Sequence, residues 1–320
     1  MRKRAQFALA ALLLAIAGLI VWQVVRHREP VYQGKRLSVW LRQYSADADS
    51  PETDEALRAI GTNAIPILLA ELQAREPRLK VSLPMLGLYY IPAENRHVWG
   101  QKGFSALGND ASNAASALMR IYERDISPSS RHAAANALVE IGPAASISIP
   151  VLIKSAASTN AEVRAFAVYT LGRMALEPKV VDPVLIKSLR DPDREVRYNA
   201  AFGLGALAFM GGDAKPAVPA LVETLNDSYP TARAAAAMAL GHIHAQPDVV
   251  VPALITALQD SQVFVRGQAS SALAEFGTNA KPAWAALMQA VKEENQDARN
   301  AAAKALKAID PEAAAKEGVK

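Results

Sequence analysis

A pattern of Arg, two residues, Ala, three residues, Leu occurs six times between Arg131 and Leu306. Its copies begin at Arg131, Arg164, Arg197, Arg233, Arg266 and Arg299, at spacings of 33, 33, 36, 33 and 33 residues. A fixed period of this size, without Gly/Pro or low-complexity bias, marks a solenoid of stacked supersecondary units. The pattern therefore predicts an all-α fold in which each unit buries its apolar face against its neighbours.

Within one unit, Val163, Ala167 and Leu171 fall at i, i+4 and i+8, a single stripe of an α-helix. Alanine inside that stripe lets a neighbouring helix approach closely. Nineteen residues after Arg, the runs at Pro150, Pro183 and Pro252 each open a second helix, and Pro219 opens the same element three residues late. Proline suits the first helical turn, where its missing N–H has no partner to lose. The 36-residue unit places its three extra residues in a longer turn around Phe209–Asp213. Asp191, Asp227 and Asp260 each stand six residues before the next Arg. With Arg131, Arg164, Arg197, Arg233, Arg266 and Arg299 they form an expected structural ladder of helix caps and inter-repeat hydrogen bonds. Recurrence at every unit favours stacking over catalysis, since a catalytic site is needed once.

The Val-Arg pairs in Glu195-Val196-Arg197 and Phe264-Val265-Arg266, the Leu-x-Asp ends and the proline-started second helices resemble the HEAT-repeat superfamily. The short unit is similar to the HEAT-like repeats first named from phycobilin lyases and common in bacterial proteins. The resemblance covers most of the chain and implies a right-handed, armadillo-like α-solenoid. About seven two-helix repeats and a terminal helix are expected, and the implied role is a protein-binding scaffold. A chromophore-lyase-like enzyme and a nucleic-acid-binding HEAT-like protein are the alternatives it leaves open.

Charge weighs on that choice. Residues 1–42 hold eight basic residues against Glu29, while the whole chain is only +4, so residues 43–320 sum to −3. A phosphate-binding array needs a basic stripe, which this balance argues against. The absence of cysteine excludes disulfides, thiol catalysis and Cys-ligated zinc. No phosphate loop, zinc signature or serine elbow occurs, so no catalytic, cofactor or metal residues are assigned. His242 and His244 are two apart, on different helix faces.

The basic flank surrounds an apolar run, Ala5–Val25, long enough as a helix to cross about 30 Å of hydrocarbon. Residues 1–28 read as an uncleaved anchor rather than a signal peptide, because the run continues eight residues past Ala15-Ile16-Ala17. The expected location is a bacterial inner membrane, with the array outside the cytoplasm. Residues 29–47 follow as a linker with Leu37, Trp40, Leu41 and Tyr44 on one amphipathic face, suited to capping the open end of a solenoid. Residues 48–310 form the array, with one first helix expected over Ala93–Leu107, and residues 311–320 form a tail expected to fray. No β-sheet is expected.

The largest irregularity lies between Arg75 and Gly103. It contains Tyr89, Tyr90, Arg96 and Trp99, residue types that dominate interface energetics. Two readings are open: these residues contact an unknown protein partner, or the segment folds back over an apolar flank.

Overall fold

The computed structural model describes residues 29–44, 50–76, 90–124 and 126–319. The Ala5–Val25 anchor and Tyr89 lie outside them. Among the described residues no helix is long and apolar enough to cross a membrane. The chain divides into two compact units between Ala144 and Ala145.

The first unit opens with a two-residue β-hairpin, β1 (Val31–Tyr32) against β2 (Lys35–Arg36). This corrects the β-free expectation. Gln33 and Gly34 both take positive φ, the backbone that a two-residue hairpin turn requires. Helix α1 (Leu37–Leu41) follows, and its face of Leu37, Trp40, Leu41 and Tyr44 is buried. The Trp40 indole N–H donates to the Tyr32 carbonyl at 3.3 Å, and the Thr53 hydroxyl donates to the Trp40 carbonyl at 3.1 Å. The amphipathic face therefore covers the first repeat helix.

The repeats then alternate longer and shorter helices: α2 (Pro51–Ile60), α3 (Ile65–Leu72), α4 (Ala93–Leu107), α5 (Ala115–Arg124) and α6 (Pro128–Glu140). Three first helices end at Gly61, Gly108 and Gly142, each at positive φ, and a 3-10 turn leads into the second helix. Helix α4 occupies the expected span, so the Ala93–Gly103 part of the irregular stretch is ordinary repeat helix.

The second unit runs α7 (Ile149–Ser155), α8 (Ala161–Met174), α9 (Pro178–Ser188), α10 (Arg194–Phe209), α11 (Val218–Thr224), α12 (Pro230–Ile243), α13 (Pro247–Ala257), α14 (Val263–Glu275), α15 (Trp284–Ala290), α16 (Gln296–Ile309) and α17 (Pro311–Lys316). Helix α10 ends 12 residues past its arginine where α8 and α12 end 10 past theirs, so two of the three extra residues lengthen the helix and only one falls in the turn before α11, which corrects the expected longer turn. First helices α8, α10, α12, α14 and α16 pack side by side. Helix α17 replaces the frayed tail: Asp310 caps it by accepting from the Ala313 N–H, and Ala314 is buried. A proline at its start and an aspartate before it are the ordinary helix-opening signals.

The Ala and Leu of all six pattern copies have no exposed surface. Small residues set the spacing between first helices. A β-carbon added at Gly172 would stand 2.3 Å from the Gly203 Cα, and one at Gly241 would stand 2.9 Å from the Ala272 Cα.

Candidate interaction surface

The repeated arginines make one arrangement four times in the second unit. Arg164 donates through Nε and Nη2 to both oxygens of Asp191, at 2.8 and 2.7 Å. Arg197 grips Asp227 at 2.6 and 2.8 Å, Arg233 grips Asp260 at 2.6 and 2.8 Å, and Arg266 grips Glu293 at 2.8 and 2.6 Å. The free Nη1 of each donates to the carbonyl six residues back, for example Arg197 to Asp191 at 2.9 Å. A planar fork with this donor set is what a bidentate carboxylate demands. One rung therefore joins a first helix, the turn before it and the turn closing the next second helix.

The aspartates close turns rather than cap helices. Asp191, Asp227 and Asp260 accept from the N–H two residues on, at 2.9, 2.8 and 2.8 Å. The cap of α10 is Asp193, which accepts from Glu195 and Val196. Six residues before Arg is too far ahead of the helix to reach its first N–H groups, which corrects the capping half of the ladder. Burial alone would raise the Asp191 and Asp227 carboxyls, but bonds from arginine and backbone N–H groups hold them below the usual range. In Asp260 the Arg233 bonds are the largest effect, and its carboxyl is likewise lowered.

Glu293 is the rung member that sequence reasoning missed, because beside Glu294 it reads as a solvated face. Its signal is spacing: Asp191, Asp260 and Glu293 each follow their arginine by 27 residues, and Asp227 follows by 30 across the insertion. The end members differ. Residue 158, 27 beyond Arg131, is a serine, and Arg131 is itself buried. Arg299 keeps the Nη1 bond to the carbonyl six residues back, Glu293, at 2.5 Å, but bonds Gln296 in place of a carboxylate.

Among the described residues of the irregular segment, Tyr90, Arg96 and Trp99 make internal contacts. Arg96 forms a bidentate pair with Glu71 at 2.6 and 3.2 Å. Trp99 is 9 % exposed, and its indole N–H donates to the Tyr44 carbonyl at 3.0 Å. The Tyr90 hydroxyl donates to Glu76 at 2.6 Å. Nearby, a cleft of about 750 Å³ opens between the starts of α4 and α6, lined by Arg75, Glu94, His97, Arg124, Ser129 and His132 among others. His97 forms its wall: Nε2 donates to the Ala74 carbonyl, so Nδ1 is left to accept from the Ser129 hydroxyl, both at 2.9 Å. Its charged residues are of both signs, so it is not an anion pocket.

The second helices of the second unit offer a different kind of surface. Aligned on their buried leucines (Leu152, Leu185, Leu221, Leu254 and Leu287), the residue two places on is Lys154, Lys187, Glu223, Thr256 and Gln289. All five are exposed, and their chemistry changes along the row. His242 and His244 do not converge: His242 Nδ1 lies 3.2 Å from the Gly205 carbonyl, while His244 packs on Phe276 at 5.0 Å between ring centroids. Among the described residues no group of three metal-ligating side chains occurs.

Solved structures share the fold. An engineered protein aligns with a TM-score of 0.50 at 21% identity, covering 85% of this chain and 77% of its own. A mutant Kap121p aligns with a TM-score of 0.56 at 15% identity over 80% of this chain and 31% of its own. The complex of CpcE and CpcF of phycocyanin lyase from Nostoc sp. gives a TM-score of 0.42 at 26% identity, covering 50% of this chain and 98% of the matched one. No curated protein matches the sequence. The family described as HEAT repeats matches residues 115–205 and 181–274, together half of the chain, and on that match the chain belongs to the HEAT-repeat family.

Proposed function

We propose that this chain is a membrane-tethered protein–protein interaction scaffold without catalysis of its own, and that the row Lys154, Lys187, Glu223, Thr256 and Gln289 receives the partner. One observation carries the reading: the repeated Ala and Leu are buried in stacking, while this row is exposed in all five of these second helices and carries four residue types. Repetition serves the contact every unit shares, and variation on an exposed helix face is what a partner can read. HEAT repeats are in general non-enzymatic scaffolds, which supports the same conclusion. Photo-crosslinking residues placed at Lys187 and Thr256 should each give one discrete protein adduct, whereas one at exposed Gln268 on α14 should give none. Lys154→Glu with Lys187→Glu should reduce the adduct formed from Thr256 by roughly five- to tenfold at low salt, the effect of reversing rim charges. Adducts from Gln268 alone would move the surface to the first helices.

The anchor belongs to the same proposal. Ala5–Val25 holds the array at a bacterial inner membrane, with Trp22 and Arg26 at the interface and the repeats outside the cytoplasm. Full-length protein should stay with membranes through carbonate and high-salt washes and leave only with detergent. Release by carbonate would reject the tether.

A further inference from the structure

The residue just before the second-helix proline is buried and apolar in four of the five repeats that have one there: Ile65, Ile149, Val218 and Val251. In the remaining one it is Asp182, 8 % exposed, with Oδ1 lacking any hydrogen-bond partner. An unpaired buried carboxylate costs stability and fills its site less well than the valine or isoleucine used elsewhere. Local rules broken in this way mark a place where something other than stability is served.

A second irregularity meets the first. The extra residues of the 36-residue unit lengthen α10 and the turn after it, and that turn carries the exposed Asp213, whose negative charge acts on Asp182. Cations on the surrounding helices are engaged elsewhere or exposed. On α8, Arg164 binds Asp191 and Arg173 bonds the Tyr169 hydroxyl. On α10, Arg197 binds Asp227 and Arg194 lies over the Tyr229 ring. Lys154 on α7, Lys179 and Lys187 on α9 itself, and Lys215 two residues past Asp213 are exposed, and Arg190 after α9 pairs with Glu223. The acids Glu162 on α8 and Asp193 and Glu195 on α10 sit at helix starts. Asp182 therefore faces burial and one like charge. Burial first, and Asp213 second, push its carboxyl up to about 6.

We propose that Asp182 and Asp213 form a proton-operated latch: with Asp182 protonated, α9 seats as its counterparts do, and with it ionised, α9 and the turn after α10 loosen. The same helix carries Lys187, so the latch sets how firmly that member of the exposed row is held. The structural claim stands whether or not the row is the partner site.

Hydrogen exchange of the full-length protein in detergent, corrected for intrinsic rates, tests it. Between pH 7.5 and 5, protection of peptides covering 178–188 and 210–214 should rise roughly tenfold or more, since each unit of pKa displacement is a factor of ten. Peptides from α14 should not follow. Asp182→Val should keep α9 protected at both pH values, and Asp182→Asn should abolish the pH dependence even if it is less stable. Asp213→Asn should move the midpoint to lower pH by removing the like charge. Flat wild-type protection, or a pH response that survives both substitutions at Asp182, overturns the latch.

Discussion

Gly172→Leu should lower the melting temperature of the second unit by about 6–12 °C, the largest effect expected of any single substitution here. The reason is backbone against backbone. A β-carbon at 172 would lie 2.3 Å from the Gly203 Cα, and no rotamer change relieves a contact with a main-chain atom. Helices α8 and α10 must separate, and the alanines and leucines packed beneath them lose their contacts. Overpacking of this kind costs about 3 kcal/mol or more, and a unit of this size loses about 2–4 °C for each kcal/mol. Gly267→Ala on α14 is the control: nothing lies within 4 Å of its added β-carbon. Removing a helix-interior glycine there should stabilise by about 0.5–1 kcal/mol. Calorimetry of both variants checks the pair, and a silent Gly172→Leu would mean that first-helix spacing does not control stability.

The repeat arithmetic made the array legible because each unit solves the same packing problem. Ala167 and Leu171 recur as Ala200 and Leu204, and both pairs are fully buried. The amphipathic start was legible for the same reason, since Leu37, Trp40, Leu41 and Tyr44 mark one helix face. What failed to show was chemistry at low sequence cost. The hairpin at Val31–Arg36 needs only four paired residues, too short to carry a period. Glu293 does the work of an aspartate in the other rungs, so matching by residue type passes it by while matching by distance finds it. Trp99 and Arg96 have the composition of an interface, yet the structure gives one to the core and the other to Glu71. Asp182 hides because a single carboxylate among helical residues is unremarkable until its counterparts in other repeats are aligned.

The rungs yield the second large effect. Arg197→Ala strips Asp227 of both guanidinium bonds and leaves the Asp191 carbonyl without its Nη1 partner. The side chains of this pair are 15% and 8% exposed, so a largely desolvated carboxylate keeps only its Tyr229 N–H bond as a strong partner and the loss should be about 2–4 kcal/mol. The double variant Arg197→Ala with Asp227→Ala should lose less than the sum of the two singles, because the second change removes the stranded charge. The pH dependence follows with a definite sign. Asp191, Asp227 and Asp260 have lowered carboxyls, so their stabilisation is complete above the ordinary value of 3.8 and is lost as pH falls through their lower folded values. Asp182 works the other way: its folded value of about 6 lies above 3.8, so its penalty is absent below 3.8 and grows as pH rises to 6. Stability of the second unit should therefore peak between the two, at about pH 4–5. Asp182→Val should flatten the alkaline limb while leaving the acid limb, and Arg197→Ala should shrink the acid limb while leaving the alkaline one. A wild-type melting profile that rises steadily from pH 4 to 7.5 would contradict the assignment of Asp182, and an acid limb unchanged by Arg197→Ala would contradict that of the rungs.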